Sequence, residues 1–268
     1  MVLSHALGSS TLLPILATIF AVVIMNRRFN AMTMEQSVVV AIGGSLMYDD
    51  DVIDDDWIAR SADVINSVVA TGSKVGIVIG GGHLARHEIN QARKSGTTDT
   101  FSLDLIGIAA TRANAETFVN ALRKLGLNVG VGIPTTTEEA AELMTTNQIT
   151  VMGGTVPGHT TDAVAIRLAK ESGASRCVIA TNVEFVYDSN PATNPDAKPI
   201  PELTLAELQE IVGPAKHDGA GPNVVIDPIG VQVAIDNNIE LALVSGRNIS
   251  DLTGCLMGQR FRGSLVRV

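Results

Sequence analysis

Three apolar segments of this sequence end in glycines and lead directly into a helix-like stretch. They are AIGGS (41–45), VIGGGHLAR (78–86) and VMGGTVPGHTTDA (151–163). In a parallel sheet the carboxyl ends of all strands share one edge, so the three turns are expected to meet there. Glycines allow close backbone approach, and free amides at a helix start attract anions. The sequence therefore predicts a polyphosphate site, with glycines that serve only packing as the alternative.

From Ser37 onward, short β-branched runs alternate with helix-like stretches. Strands that are apolar on both faces are expected in a parallel sheet covered by helices, which predicts an α/β fold. The predicted strands are SVVVAI (37–42), KVGIVI (74–79), ITVM (149–152), RCVIAT (176–181) and IELALV (239–244). The predicted helices cover residues 54–70, 83–95, 103–125, 161–172 and 204–212, and loops are predicted at 190–201 and 213–222.

The composition argues against several classes of protein. The 268 residues carry a net charge of −9, which disfavours general nucleic-acid binding. The two cysteines, Cys177 and Cys255, are far apart and lack a metal-ligand spacing, so neither a disulfide framework nor a zinc site is indicated. A reducing, cytoplasmic location is the simpler interpretation.

The amino-terminal segment differs from the rest of the chain. Residues 12–25 form a nearly continuous apolar run that is too short for a comfortable membrane span and contains Pro14. Arg27 and Arg28 follow this run, whereas the charges of a signal peptide precede it. We expect residues 1–34 to lie outside a domain formed by residues 35–268. A start at Met32 or Met34 is the favoured explanation, a short membrane anchor is the alternative, and no stable membrane association is expected.

Other common phosphate and metal motifs are absent from the sequence. It contains no GxxxxGK[ST], no G-x-G-x-x-G after the first strand, and no HRD or DFG pattern. The acidic runs 49–51 and 54–56 are interpreted as solvated charge and helix capping, and Trp57 as core. His83 and His87 share a helix face but have no third ligand nearby in sequence, so no metal-binding side chain is predicted.

A longer set of segments resembles the archaeal-type uridylate (UMP) kinases of the amino-acid-kinase superfamily. The resemblance runs from Ser37 to Val268, and its most specific elements are GGTVPGHTTDA (153–163) and TNVEFVY (181–187). The other matching segments are IGGS (42–45), GGGHLAR (80–86), DLIGIAATRANA (104–115), NPDAKPI (194–200) and VIDPIG (225–230). The resemblance implies a three-layer α/β/α fold, a homohexamer, and magnesium-dependent phosphoryl transfer from ATP to UMP, giving UDP for pyrimidine nucleotide (CTP) synthesis.

The resemblance also implies roles for individual residues. Those implied to bind ATP are Gly44, Ser45, Gly82, Arg86, Thr181, Asn182, Tyr187 and Asn190. Those implied to bind UMP are Gly81, Asp104, Thr155, Val156, Pro157, Gly158, His159, Thr160 and Thr161, with Asp104 holding the ribose hydroxyls. Arg86 and Asp162 are implied to be catalytic. Taken singly, Arg86 is also compatible with a surface charge, Asp104 with a helix cap and Tyr187 with core.

Some positions depart from the family pattern. Ala41 stands where the wider superfamily has a lysine, and Gln232 stands where these kinases commonly have one. Asn190 replaces a usual aspartate, and Glu184 with Phe185 replaces an Asp-Gly pair. These changes favour one alternative, a catalytically reduced homologue that binds a nucleotide or another oxyanion. A second alternative is a superfamily kinase that acts on a carbamate, an acyl phosphate acceptor or isopentenyl phosphate.

Overall fold

A seven-stranded sheet forms the centre of the computed structural model, which describes residues 37–50, 52–215 and 225–268. The described residues belong to one compact unit, Gln36–Val268. The predicted leader (1–34) and part of the predicted loop at 213–222 lie outside the described residues. The strands are β1 (Ser37–Ile42), β2 (Tyr48–Asp49), β3 (Val52–Ile53), β4 (Lys74–Ile79), β5 (Ile149–Met152), β6 (Arg176–Thr181), β7 (Val186–Tyr187), β8 (Pro199–Ile200), β9 (Glu202–Thr204), β10 (Glu240–Ser245) and β11 (Gly263–Arg267).

The strand order in this sheet is β5-β4-β1-β6-β10-β11-β9. The first five strands in that order are parallel to one another. Strand β11 pairs antiparallel with β10 and parallel with β9, so both β11 and β9 run opposite to the first five. Strand β1 lies between β4 and β6, with Ile42 paired to Ile79 on one side and to Ala180 on the other. The carboxyl ends of β5, β4, β1, β6 and β10 therefore form one continuous edge.

Helices cover both faces of the sheet. They are α1 (Asp55–Ala70), α2 (Gly82–Lys94), α3 (Thr100–Lys124), α4 (Thr137–Thr146), α5 (Thr161–Ser172), α6 (Leu205–Val212), α7 (Pro228–Asn237) and α8 (Ile249–Leu256), with a 3₁₀ turn at Gly44–Met47. Because strand side chains alternate between faces, Val40 and Ile42 pack with α1, α3 and α8, while Val39 and Ala41 pack with α4, α5, α6 and α7. The predicted three-layer α/β/α fold is confirmed.

The start of α1 confirms two further predictions. The carboxylate of Asp54 accepts the Trp57 N–H at 2.8 Å and caps the helix, and Asp55 and Asp56 occupy its first turn. Trp57 is fully buried, lies 6.4 Å from the ring of Phe118, and donates its indole N–H to the carbonyl of Gly246 at 2.8 Å. Asp54 thus caps the helix, Asp55 and Asp56 are exposed in its first turn, and Trp57 belongs to the core.

The sequence prediction missed helices α4, α7 and α8, the sheet strands β9 and β11, and the short strands β2, β3, β7 and β8, of which β8 lies inside the predicted loop 190–201. It placed the last parallel strand one residue early, and it counted Asp54 and Thr204 as helical although both are caps. Among the described residues, no helix has the length and apolar character needed to cross a bilayer.

Candidate active site

The end of β1 is held between its two neighbours before the chain turns. The Gly43 N–H donates to Ala180 O at 2.9 Å, and the Gly80 N–H donates to Ile42 O at 2.8 Å. The 3₁₀ turn then begins, and its first bond joins the Leu46 N–H to Gly43 O at 2.9 Å. The amides of Gly44 and Ser45 precede that bond, so they are the donors that a helix start leaves for a ligand.

The glycine turns after β1 and β4 are in direct contact. A Cβ on Gly44 would overlap Gly80 O and lie 2.6 Å from Gly82 N. Gly82 has φ of +55°, a conformation that favours glycine. A Cβ on Gly80 would lie 2.9 Å from Gly44 N and 3.2 Å from the hydroxyl of Thr161. The 3₁₀ turn, α2 and α5 therefore begin against one another.

The third glycine turn, after β5, joins this cluster through α3. The Gly154 N–H donates to the Thr111 hydroxyl at 2.6 Å, and a Cβ on Gly153 would lie 2.7 Å from the amide nitrogen of Arg112. A Cβ on Gly81 would also reach Thr111, at 3.5 Å from its methyl carbon. The three turns meet at one edge, as the sequence predicts.

Arg86 brings a positive charge to the first turn. Its side chain projects from α2, is exposed, and donates from Nη2 to the Ser45 hydroxyl at 3.3 Å. Two of the residues that were predicted to meet ATP phosphates therefore lie side by side. An exposed guanidinium next to a helix start is well suited to a phosphate, because its planar fork matches two oxygens.

The segment that links β5 to α5, residues 153–160, carries most of the predicted UMP-binding residues, and α3 braces it. Asp104 accepts the Gly158 N–H on Oδ2 at 2.8 Å. Arg112 donates from Nε to Gly154 O at 3.0 Å and from Nη2 to Thr155 O at 3.1 Å. One Asp104 oxygen is thus already used by the protein, and the predicted ribose contact would fall to the other.

At the exposed side of this segment, almost half of Val156 reaches solvent, and its carbonyl accepts the His159 N–H at 3.4 Å across Pro157 and Gly158. Gly158 has φ of +83°. Residues 155–160 are half-buried or exposed, so a small ligand can reach this turn from solvent.

Thr160 caps α5 and reaches a second helix. Its oxygen accepts the Ala163 N–H at 3.3 Å, and its hydroxyl donates to Asp227 Oδ2 at 2.6 Å. Asp227 is buried and caps α7 through the amides of Ile229 and Gly230. Thr161, the first residue of α5, faces Gly80 as described above. Two helix starts thus lie together beside the glycine cluster.

Asp162 lies in the first turn of α5 and has an unusual environment. Desolvation of its carboxyl group, together with the nearby charge of Asp227, raises the pKa of Asp162 to about 7. No hydrogen bond or ion pair joins it to a basic side chain within the described ranges. When this carboxyl group is ionised, it can therefore meet a cation that a ligand brings.

The predicted adenosine-binding residues fall into two groups. Thr181 is the last residue of β6, its carbonyl accepts the Gly246 N–H at 2.8 Å, and Asn182 follows it in an exposed position. Tyr187 and Asn190 line a cavity of about 960 Å³ that Val183 also borders. Thr181 and Asn182 do not line that cavity. Asn190 uses its side-chain oxygen to accept the Ala192 N–H at 2.9 Å.

The positions that depart from the family pattern have clear structural surroundings. Ala41 is buried in β1, and the Gln232 amide donates to Asp236 on the same helix at 2.9 Å. Glu184 pairs with Arg262 at 2.9 Å, and the Arg262 guanidinium lies 5.9 Å from the centre of the Phe185 ring. Neither Ala41 nor Gln232 supplies a cation to the candidate site.

Sequence reasoning missed several residues that shape this site. Asn114 is buried, donates to Gly80 O at 2.9 Å and Gly81 O at 3.0 Å, and accepts the Tyr48 hydroxyl at 2.8 Å. Thr111, Arg112 and Asp227 were likewise not assigned roles, and Arg247 was not singled out. Thr111, Arg112, Asn114 and Asp227 lie within segments that carried the resemblance, but only the fold reveals their hydrogen-bond partners.

The described residues contain no group of three or more His, Cys, Asp or Glu side chains that could hold a metal ion. The His83 and His87 rings lie 6.3 Å apart on α2. A magnesium ion that arrives with a nucleotide needs only one or two carboxylates besides the phosphates. Asp162 fits that requirement, whereas both oxygens of Asp227 already accept hydrogen bonds, from Thr160, Ile229 and Gly230.

Residues 36–245 match the Amino acid kinase family. This chain belongs to the amino acid kinase family. Within the family it is 38% identical over 209 residues to the uridylate kinase of Methanococcus vannielii, which covers 78% of this chain and 90% of that protein. It is 40% identical over 207 residues to the uridylate kinase of Methanopyrus kandleri, covering 77% and 88%. The solved uridylate kinase of Archaeoglobus fulgidus matches with a TM-score of 0.74 and 35% identity, over 85% of this chain and 99% of that one.

Proposed function

We propose that this protein is a UMP kinase, which transfers the γ-phosphoryl group of ATP to UMP and forms UDP and ADP. The reaction is reversible and would supply pyrimidine nucleotide (CTP) synthesis. The observation that carries the proposal is the contact among Gly44, Gly80 and Thr161, which brings three helix starts together at one edge of the sheet. The uridylate kinases that cover most of the chain support UMP as the acceptor.

On the donor side, the amides of Gly44 and Ser45 would meet the ATP phosphates, with Gly82 below them and Arg86 beside them. The contact of Arg86 with the Ser45 hydroxyl supports this assignment, because one cation then serves the same turn as the amides. The adenosine would contact Thr181 and Asn182 at the end of β6, and Tyr187 and Asn190 would contact it from the cavity that they line.

On the acceptor side, the segment from Thr155 to Thr161 would hold UMP, with Gly81 beneath it. Its phosphate would lie at the start of α5, where the Thr161 hydroxyl faces Gly80 and where a helix start leaves its first amides for a ligand. The free oxygen of Asp104 would accept from the ribose hydroxyls. The brace from Arg112 supports this arrangement, because it fixes the carbonyls of Gly154 and Thr155 away from the ligand.

Catalysis would then rest on positioning and on charge neutralisation. Phosphoryl transfer needs the acceptor oxygen in line with the leaving group, and it needs positive potential around the transferred oxygens. Here three helix starts and Arg86 provide that potential. Magnesium bound with ATP would supply further neutralisation, and Asp162 is the residue that would hold it.

The simplest test is a coupled ADP-release assay of the full chain with ATP and each of UMP, CMP, AMP and GMP. We expect turnover with UMP at the highest kcat/KM. Turnover with none of these acceptors, while ATP still raises the melting temperature, would instead support the nucleotide-binding homologue.

A specific observation favours that second candidate. Ala41 and Gln232 bring no charge to the site, and Asp162 has no basic partner among the described residues.

A carbamate, an acyl phosphate acceptor and isopentenyl phosphate should also be assayed, since each would identify a different kinase of the superfamily. Asp104→Asn should impair UMP turnover far more than turnover of an acceptor without ribose.

We further propose a homohexamer in the cytoplasm, in keeping with the resemblance. Light scattering of the purified full chain measures the assembly. A mass of one or two chains at assay concentration would contradict the hexamer but would not bear on the kinase assignment.

A further inference from the structure

Arg247 donates hydrogen bonds to three backbone carbonyls within and just after the 3₁₀ turn at Gly44–Met47, which is the candidate donor turn. It follows β10, in the turn that precedes α8. Its Nη2 donates to Ser45 O at 2.9 Å and to Tyr48 O at 2.8 Å. Its Nη1 donates to Leu46 O at 3.3 Å and lies 3.4 Å from Asp54 Oδ2. One guanidinium thus collects three carbonyl oxygens from the segment that includes Gly44 and Ser45.

Gly246, the residue before Arg247, is itself fixed by two hydrogen bonds. Gly246 donates its N–H to Thr181 O at 2.8 Å and accepts the Trp57 indole N–H at 2.8 Å. A Cβ on Gly246 would overlap the side chain of Leu46, so the two turns pack with no space between them. Arg247 is therefore attached to the ends of two strands and to α1 before it reaches the donor turn.

The direction of these bonds decides what Arg247 does. In a helical turn the carbonyls point one way along the axis and the amides point the other way. Holding the carbonyls of Ser45 and Leu46 toward Arg247 therefore aims the amides at the start of the turn in the opposite direction, toward Gly80 and the start of α5. The same oxygens are denied to solvent, so the turn is fixed before a ligand arrives.

The ion pair with Asp54 is too weak to be the main role of Arg247. About 42% of the Arg247 side chain and 20% of the Asp54 side chain are exposed, and ion pairs that water reaches contribute little to stability. The three carbonyl bonds use the planar, multiply donating geometry that lysine lacks. The geometry therefore singles out the guanidinium rather than the charge alone.

We propose that Arg247 is a positioning residue for the donor nucleotide, acting through the carbonyls of Ser45, Leu46 and Tyr48 to aim the amides of Gly44 and Ser45 at its phosphates. The inference rests on the proposed function, because the phosphates concerned are those of ATP. It assigns the acceptor UMP no contact with Arg247, since the Thr155–Thr161 segment makes none of these bonds.

The test compares full-length Arg247→Ala and Arg247→Lys with Arg60→Ala. Arg60 is a matched control because it is also an exposed arginine paired with an aspartate, Asp56, at 3.0 Å on α1. The measurements are calorimetric affinities for MgATP and for UMP, each in the absence of the other, together with melting temperatures. We expect Arg247→Ala to weaken MgATP binding about tenfold or more, with UMP affinity within about twofold of wild type. Arg247→Lys should recover part of the loss, and Arg60→Ala should change neither affinity.

Three outcomes would overturn the inference. They are MgATP affinity within twofold of wild type in Arg247→Ala, equal losses for MgATP and UMP, and full recovery by lysine. Failure of the proposed function can be told apart from failure of this inference. Wild-type protein that binds MgATP but does not phosphorylate UMP contradicts the kinase assignment, and the effect of Arg247 on MgATP binding can still be measured. Wild-type protein that does not bind MgATP would contradict both.

Discussion

Thr160 joins the first turns of two helices: its hydroxyl donates to Asp227 Oδ2 at 2.6 Å, and its oxygen accepts the Ala163 N–H at 3.3 Å. Through this one side chain, α5 and α7 start from a common point beside Gly80. An N-cap normally serves a single helix. Here the cap also fixes where the candidate acceptor phosphate would lie relative to the second helix.

Thr160→Val should lower both stability and acceptor binding. The valine keeps the shape but loses the cap and leaves Asp227 without one of its donors, so we expect a loss of about 1–2 kcal/mol in the free energy of unfolding. The KM for UMP should rise while the KM for ATP stays near wild type. Thr204→Val is the matched control, because Thr204 caps α6 by accepting the Glu207 N–H at 3.2 Å. It should lose stability without any change in KM, and an equal rise in KM in both variants would contradict the prediction.

The stability of the ligand-free protein should depend on Asp162 between about pH 4 and 7. The pKa of this carboxyl is raised to about 7 in the folded protein, from a usual value near 3.8. In that window the folded state holds a proton that the unfolded state has lost, so the free energy of unfolding falls as the pH rises toward 7. Urea unfolding at several pH values should show this slope in wild type and a smaller slope in Asp162→Asn. Identical slopes in the two proteins would exclude Asp162 as the source.

Gly80→Ala should be damaging, because a Cβ there would press on Gly44 N at 2.9 Å and on the Thr161 hydroxyl at 3.2 Å. We expect a loss of about 1–3 kcal/mol in the free energy of unfolding and weaker binding of both nucleotides. Gly107→Ala, in α3, is the control. Its Cβ would meet Ile89 at an ordinary 3.5 Å, so the better helix former should stabilise the protein by about 0.5–1 kcal/mol. Equal effects at both glycines would argue against the crowded cluster.

Arg86→Ala should reduce kcat by on the order of a hundredfold and raise the KM for ATP, because it removes the exposed cation beside Ser45. Arg93→Ala lies on the same helix, in its last turn, and provides the control for general loss of charge. Steady-state kinetics with varied ATP and saturating UMP would measure both effects. A kcat for Arg86→Ala close to that of Arg93→Ala would remove Arg86 from the catalytic set.

Arg112→Ala should raise the KM for UMP, because the carbonyls of Gly154 and Thr155 would lose their donors and the acceptor segment would no longer be held. Arg123→Ala is a close control, since Arg123 is also on α3 and donates to a loop carbonyl, Gly130 O, at 2.8 Å. We expect both variants to lose about 1 kcal/mol in the free energy of unfolding, and only Arg112→Ala to affect KM. An unchanged KM for UMP in Arg112→Ala would place the UMP segment elsewhere.

The parallel core of the fold could be predicted because each of its strands is apolar on both faces and ends at a clear turn. The short helix α4 and the antiparallel strand β11 could not, because their patterns are brief and their pairing depends on neighbours distant in sequence. The strand IELALV was placed one residue early for a related reason. Its end is fixed by the pairing of Ser245 with Thr181, which leaves no local signal.

The parts of the site that glycine turns form could be predicted from the sequence. The parts that depend on hydrogen bonds between side chains and distant segments could not. Glycines at three strand ends indicate one anion-binding edge. The contact between Gly44 and Gly82 joins the first two turns, and the bond from the Gly154 N–H to the Thr111 hydroxyl brings in the third. The uses of Asn114, Arg112 and Arg247 arise from bonds to carbonyls 33 to 202 residues away. Asp104 illustrates the limit in another way, since its position was predicted but its bond to Gly158 was not. The nucleotide contacts themselves stay predictions.

Trp57 is the single tryptophan of the chain, and its indole is bound to the carbonyl that directly precedes Arg247. Tryptophan fluorescence therefore arises from one fully buried side chain, next to the turn that would bind the donor nucleotide. Any ligand that shifts Gly246 changes the surroundings of this indole, so emission can follow donor loading in real time without a dye. The emission of Trp57 thus serves as a built-in reporter of donor binding.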